Sequence, residues 1–209
     1  MKYKYIVFDI DGTLLDTEVA VLSALQDTIY EVQKKKIDFD KLKFALGIPG
    51  ENTLKKMGIT NVKEVNLKWN KNMCKYADTI KVFTGINEVL NTLKQKNMKL
   101  GIITSKNKNE YINDFKPLGL DCYFETIICA EDTKEAKPSP APMLEYLKRE
   151  KAKTEEVIYI GDTIYDFHCA QNAKVDFGLA MWGCHSIRDI QAQYYFDTPA
   201  NILDSVLNS

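Results

Sequence analysis

Short apolar runs alternate with helix-like patterns over most of the chain. An apolar run bounded by turn residues predicts a buried strand, and apolar positions recurring every three or four residues predict a helix. The predicted strands cover residues 5–8, 100–103, 126–129, 157–160 and 177–181. The predicted helices of the same region cover residues 87–96, 111–118, 140–150, 164–173 and 200–207. This alternation predicts an α/β fold, with a Rossmann-like parallel sheet core and helices on both faces.

One long segment, residues 16–80, departs from this alternation because it shows helical patterns alone. Apolar residues recur at helical spacing through its first half, and turn residues interrupt the pattern near Gly47 and Gly58. We therefore predict that this segment forms an inserted helical-bundle subdomain. The α/β core would then consist of residues 1–15 and 81–209.

Charge and hydropathy narrow the range of partners. The 209 residues carry a formal net charge of -1, so no overall basic field favours nucleic acid or an anionic membrane. No apolar run approaches the roughly 20 residues that a membrane-spanning helix needs. The first apolar run ends at two aspartates, which is not typical of a secretory signal. We expect a cytoplasmic monomer that binds neither nucleic acid nor membranes.

Polar residues follow four of the predicted strands, at the positions where ligands bind in an open α/β sheet. The first strand is followed by the run Asp9-Ile10-Asp11-Gly12-Thr13. The later strand ends are followed by Thr104-Ser105, by a loop reaching Lys137-Pro138, and by Gly161-Asp162 with Asp166 nearby. Because parallel strands end at one edge of the sheet, we expect these side chains to lie close together.

These residue types suit phosphoryl transfer. Several carboxylates make an oxygen-rich site of the kind that Mg²⁺ prefers, and a lysine and hydroxyl groups can hold phosphoryl oxygens. A carboxylate can attack phosphorus to form an aspartyl phosphate, while a second carboxylate serves as general acid and then as general base.

Each residue taken alone also has a simpler explanation. Thr104 would serve as a helix cap and Lys137 as a solvated surface lysine. Asp162 or Asp166 would serve as a turn or cap residue. The occurrence of all of them at successive strand ends favours the catalytic interpretation.

The motifs resemble those of the haloacid dehalogenase-like phosphatase superfamily. The match consists of residues 9–18 (DIDGTLLDTE), Thr104, Lys137-Pro138, and Gly161-Asp162 through Asp166. The helical insertion directly after the first motif is similar to the cap of one branch, which contains phosphoglycolate phosphatases, pyrophosphatases and β-phosphoglucomutases. The resemblance covers nearly the whole chain.

The resemblance implies catalytic and metal-binding roles for four aspartates. Asp9 would be the nucleophile and a ligand of Mg²⁺. Asp11 would protonate the leaving group and then activate water, with its backbone carbonyl on the metal. Asp162 would be the second side-chain ligand, and Asp166 would support the metal through water or a hydrogen bond.

The resemblance also implies a phosphate-binding set and an activity. Thr104, Ser105 and Lys137 would bind the phosphoryl group, and Lys137 would also balance the carboxylate charge. The loop from residue 47 to residue 52, between cap helices, is expected to select the substrate. The implied activity is Mg²⁺-dependent hydrolysis of a small phosphorylated metabolite through an aspartyl-phosphate intermediate.

Other chemistries remain as alternatives. A sugar phosphomutase of the β-phosphoglucomutase type uses the same first carboxylate, but its branch carries a histidine in the first cap helix, and residues 16–80 contain none. A dehalogenase lacks the second aspartate, which Asp11 matches here. A non-hydrolytic phospho-accepting domain has no insertion after its first strand and carries its acceptor on a middle strand.

Overall fold

The computed structural model describes residues 2–207, which form one large sheet, one short ribbon and surrounding helices. The strands are Tyr5–Phe8 (β1), Leu15–Asp16 (β2), Lys81–Val82 (β3), Lys99–Ile103 (β4), Thr126–Ile128 (β5), Val157–Gly161 (β6), Asp176–Ala180 (β7) and Tyr194–Phe196 (β8). The α-helices are Glu18–Gln33 (α1), Phe39–Leu42 (α2), Gly50–Lys56 (α3), Val62–Met73 (α4), Ile86–Gln95 (α5), Lys108–Glu110 (α6), Ala141–Glu150 (α7), Ile164–Asn172 (α8) and Asn201–Leu207 (α9).

The large sheet is parallel throughout the described residues. Its strand order is β5-β4-β1-β6-β7-β8, so the first strand of the chain lies near the centre. Ile6 of β1 is in register with Leu100 of β4 on one side and with Ile158 of β6 on the other. This arrangement confirms the predicted α/β fold with a Rossmann-like parallel core.

Alternating side chains of each strand fill two hydrophobic clusters, one on each face of the sheet. In β1, Ile6 and Phe8 join the cluster that α5 and α9 cover. Val7 joins the cluster on the opposite face, which α7 and α8 cover. Both faces are therefore buried, which is why the strands consist of nearly continuous apolar residues rather than alternating ones.

The helices between β2 and β3 enclose a third hydrophobic cluster of their own. Helix α1 packs against α4, and Leu22, Leu25 and Trp69 are among the buried side chains between the helices. A separate cluster of this kind supports our proposal that residues 16–80 form a cap distinct from the core.

Two strand pairs were not predicted from the sequence. Leu15 of β2 pairs with Val82 of β3 in an antiparallel ribbon, and neither segment is among the predicted strands. Tyr194–Phe196 adds a sixth strand at the edge of the large sheet beyond β7. Segments of two or three residues are too short to show a periodic pattern, so these pairs depend on contacts distant in sequence.

The predicted helix over residues 111–118 is irregular. Tyr111–Phe115 is a π-helical turn, and Lys116–Leu118 is a 3₁₀ turn. Pro117 has no N–H group to donate within a helix, which favours a break at this point.

None of the helices formed by residues 2–207 combines the length and the apolar character that crossing a bilayer requires.

Gly101 of β4 allows α7 to lie close to the sheet. A Cβ atom at this position would lie 2.1 Å from Cε2 of Tyr146, a side chain that is fully buried. We predict that Gly101→Ala lowers the free energy of unfolding by about 1–3 kcal/mol, because the tyrosine has no room to move away. Urea denaturation measures this change.

The control for Gly101→Ala is the same substitution made in a Tyr146→Ala background. Removal of the ring should abolish most of the cost of the added methyl group. If Gly101→Ala lowered the free energy of unfolding equally in both backgrounds, the contact with Tyr146 would not be the cause of the destabilisation.

Candidate active site

The loops that follow β1, β4 and β6 meet at one edge of the sheet beneath the cap helices. They line a cavity of about 490 Å³. The core side contributes Asp9, Asp11 and Asp162, and the cap side contributes residues such as Trp69 and Gly47. The structure therefore brings together residues from separate motifs, as the parallel sheet predicts.

Asp9 lies at the bottom of this cavity, immediately after β1. Its side chain is buried, and its Oδ1 lies 3.0 Å from Nζ of Lys137. Burial raises the pKa of the Asp9 carboxyl to about 7, because Lys137 offsets only part of the cost of desolvation and the Asp166 and Asp11 carboxylates add to it.

Lys137 is a buried cation held by two carboxylates. Its Nζ lies 2.7 Å from Oδ1 of Asp166 in addition to its contact with Asp9. Burial alone would lower the pKa of the Lys137 ammonium, but Asp166 and Asp9 outweigh burial and raise that pKa above its ordinary value. The lysine is therefore charged, and the explanation of Lys137 as a solvated surface residue is wrong.

Both carboxylate oxygens of Asp166 are engaged. Oδ1 accepts hydrogen bonds from Lys137 and from the Tyr159 hydroxyl, each at 2.7 Å. Oδ2 accepts a hydrogen bond from the backbone N–H of Thr163 at 3.1 Å, and this bond is one half of a capping box at the start of α8. Asp166 is therefore a helix-capping residue and an ion-pair partner together, and Tyr159 is a site residue that sequence reasoning missed.

Asp162 completes a group of three buried carboxylates. One oxygen each from Asp9, Asp162 and Asp166 lie within 4.8 Å of one another. Burial, followed by the proximity of Asp166 and Asp9, raises the pKa of the Asp162 carboxyl well above its ordinary value. The Thr13 hydroxyl donates to its Oδ1 at 3.0 Å. An all-oxygen, strongly acidic set of this kind fits a hard divalent cation such as Mg²⁺.

Close backbone packing fixes the turn after β1. Gly12 has φ +80°, and a Cβ atom there would lie 2.2 Å from Oδ2 of Asp162. On its other side, a Cβ atom at Gly183 would lie 1.8 Å from the Gly12 carbonyl oxygen. The Trp182 indole N–H donates to the Thr13 carbonyl at 3.0 Å. The loop after β7 thus holds the turn after β1 against Asp162.

A second buried lysine, which the sequence did not indicate, lies beside Asp11. Nζ of Lys106 is 3.2 Å from Oδ1 of Asp11 and 3.1 Å from Oδ2 of Asp114. The signal available in the sequence was the position of Lys106 directly after Thr104-Ser105. Its partner Asp114 lies in the irregular turn after α6, whose direction no periodic pattern predicts.

The two predicted phosphate-binding hydroxyls lie after β4, close to this lysine. Oγ1 of Thr104 accepts the backbone N–H of Lys106 at 3.1 Å. The Ser105 hydroxyl donates to the Gly47 carbonyl of the cap at 3.2 Å, so it links core and cap. Gly47 opens the predicted specificity loop and lines the cavity. The phosphate-binding roles of both hydroxyls stay predictions.

Known proteins with similar sequences and folds identify the family of this chain. The profile of the haloacid dehalogenase-like hydrolase family matches residues 6–180. Pyrophosphatase PpaX of Halalkalibacterium halodurans is 27% identical over 99% of this chain and 98% of its own. A candidate pyrophosphatase PpaX of Caldanaerobacter subterraneus is 31% identical over 87% of this chain and 83% of its own.

A solved structure from Lactobacillus plantarum, named as a candidate phosphoglycolate phosphatase, superimposes with a TM-score of 0.90 at 27% identity. The match covers 98% of this chain and 99% of that chain. The chain belongs to the haloacid dehalogenase-like hydrolase family, and it is a hydrolase.

The raised pKa of Asp9 predicts a pH-dependent stability in the absence of divalent cations. The folded protein keeps this proton up to about pH 7, whereas the unfolded chain loses it near the ordinary value of 3.8. The contribution of Asp9 to folding stability therefore falls as the pH rises between these values. Between these pH values the free energy of unfolding of the wild type should fall, relative to that of Asp9→Asn, by up to about 1.4 kcal/mol per pH unit.

Chemical denaturation in chelator at several pH values measures this difference. Asp197→Asn, at an exposed aspartate, controls for the substitution itself. A stability difference between wild type and Asp9→Asn that is constant with pH, or that changes in the opposite direction, would contradict the account.

Proposed function

We propose that this protein is a Mg²⁺-dependent phosphatase that hydrolyses a small phosphorylated metabolite through an aspartyl phosphate on Asp9. The observation that carries the proposal is the position of Asp9. It lies at the bottom of the cavity, beside the buried Lys137 ammonium and within 4.8 Å of two further carboxylates. The names of the pyrophosphatase relatives support hydrolysis of a phosphoryl bond.

Asp9 and Asp162 would hold Mg²⁺ through their side chains, and Asp11 through its backbone carbonyl. Asp166 has both oxygens engaged by protein donors, so we assign it to orienting Lys137 and to a water-mediated contact with the metal. A bound cation would supply positive charge to the site and would favour the ionised form of Asp9.

The reaction follows from the order of these groups. A carboxylate oxygen of Asp9 attacks phosphorus, and the bond between phosphorus and the leaving oxygen breaks. Asp11 donates its proton to that oxygen. Asp11 then accepts a proton from water, whose oxygen attacks the phosphoryl group and releases Asp9 and inorganic phosphate. Lys137 stabilises the charge on the phosphoryl oxygens throughout.

Thr104 and Ser105 would orient the phosphoryl group from the end of β4. The Thr104 oxygen accepts the Lys106 N–H, and its hydroxyl hydrogen would donate to a phosphoryl oxygen. The Ser105 hydroxyl would exchange its bond to Gly47 for one to the substrate, which would couple phosphate binding to the position of the cap. A monomeric state and a cytoplasmic location stay predictions.

The alternatives from the sequence have less support. Transfer between two hydroxyl groups of a sugar would need a proton carrier on the cap, and residues 16–80 contain no histidine. A stable phosphoryl-accepting domain does not need a carboxylate beside the acceptor that activates water, whereas Asp11 lies two residues after Asp9 and lines the cavity.

The proposal predicts the behaviour of Asp9→Asn. With an aryl phosphate as substrate and Mg²⁺ present, phosphate release should fall by on the order of 10³-fold or more, because the nucleophile and a metal ligand are lost together. Chelation of Mg²⁺ should abolish wild-type release, and Ca²⁺ should restore little of it because its larger coordination shell misplaces the attacking oxygen.

Asp197→Asn is again the matched control and should keep wild-type activity, because this aspartate is exposed and does not line the cavity. Asp9→Asn protein that folds normally and retains most of the Mg²⁺-dependent release would refute Asp9 as the nucleophile.

A further inference from the structure

The part of the cavity beyond Asp11, where the leaving group would lie, is rich in negative charge. We call it the leaving-group pocket. It is defined by four residues whose carboxylates line the cavity and which are not predicted to bind the metal. They are Asp16, Glu18, Glu110 and Asp114. Asp16 and Glu18 come from the start of the cap, and the other two come from the segment after β4.

The basic side chains that line the same pocket already contact carboxylates. Nζ of Lys106 lies between carboxylate oxygens of Asp11 and Asp114, at 3.2 and 3.1 Å. Nε2 of His185 lies 3.5 Å from Oε2 of Glu18. Among the described lining residues, no cation remains without a carboxylate partner to bind a second anionic group on the substrate.

The cap wall of the pocket offers polar atoms that lack partners. Nε1 of Trp69 is a buried donor, and Oδ1 of Asn66 is a buried acceptor, and neither has a hydrogen bond within the described part of the chain. The Trp69 side chain is 94% buried, since its exposed fraction is 6%. Leaving such groups unsatisfied is costly, so the arrangement suits a ligand that both donates and accepts hydrogen bonds.

We propose that the leaving group is a neutral alcohol with several hydroxyl groups, so that the substrate is a sugar or polyol phosphate. Hydroxyl groups can donate to the four carboxylates and to Asn66, and they can accept from Trp69. A second phosphate or a carboxylate on the leaving group cannot donate a hydrogen bond to the four carboxylates, and its negative charge would be repelled by them. This inference rests on the proposed phosphatase function and specifies its substrate class.

Two substrates that differ at one group test the inference. Glycerol phosphate ends in a hydroxymethyl group, and the corresponding phosphoglycerate has a carboxylate at that position. The two substrates have the same chain length. With saturating Mg²⁺, the full-length protein should hydrolyse glycerol phosphate with a kcat/KM at least about tenfold higher, because one added charge repulsion in the pocket is worth that factor.

Variants locate the cause of this preference. Glu110→Gln removes a charge but keeps an acceptor for the Asn107 backbone N–H, and Asp16→Asn removes a charge at an exposed position. Each variant should lower the ratio of kcat/KM for glycerol phosphate to kcat/KM for phosphoglycerate several-fold, mainly by raising kcat/KM for phosphoglycerate. Glu88→Gln, at an exposed glutamate of α5 outside the cavity, should leave the ratio unchanged.

The outcomes separate the inference from the function on which it rests. Turnover of an aryl phosphate together with an equal or reversed ratio would overturn the polyol assignment alone. Faster hydrolysis of pyrophosphate or of phosphoethanolamine than of glycerol phosphate would overturn it as well. Absence of turnover with the aryl phosphate and with every other substrate would overturn the phosphatase function and the inference with it.

Discussion

The burial of a lysine between two carboxylates is the constraint on which the rest of this site depends. One carboxylate oxygen each from Asp9, Asp162 and Asp166 lie within 4.8 Å of one another, and all three residues are buried, so their mutual repulsion is strong. Lys137 compensates part of that charge, and its ion pairs with Asp9 and Asp166 fix where it lies. The remaining negative charge is what makes the site suited to a divalent cation and, through that cation, to a phosphoryl group.

The sheet and the cap position different groups around the cavity. The parallel core places Asp9, Asp162 and Lys137 at one edge, because each follows a strand and these strands run in the same direction. The cap closes over this edge, with Gly47 touching Ser105 of the core and Trp69 lining the cavity from above. In the proposed reaction the core would supply the reacting groups, whereas the leaving group would lie against the cap and the acidic side chains near it.

The sequence predicted the strands, the parallel sheet and the convergence of the motif residues well, because each rests on a local pattern or on the topology that such patterns imply. It did not predict the pairing of β2 with β3 or the edge strand β8, which are too short to show a period. It also missed Lys106 with Asp114, and Tyr159 with Asp166. These contacts join residues whose side-chain directions depend on an irregular turn or on packing across the sheet.

The central claim, that Asp9 becomes covalently phosphorylated, is tested most directly by trapping the intermediate. In Asp11→Asn, an aryl leaving group needs little protonation, but water lacks its general base, so phosphorylated enzyme should accumulate. Rapid acid quenching followed by tandem mass spectrometry should find one phosphoryl group, and it should be on Asp9. A phosphoryl group on another residue, or continued phosphate release by this variant with no phosphorylated Asp9 at any time, would contradict the account.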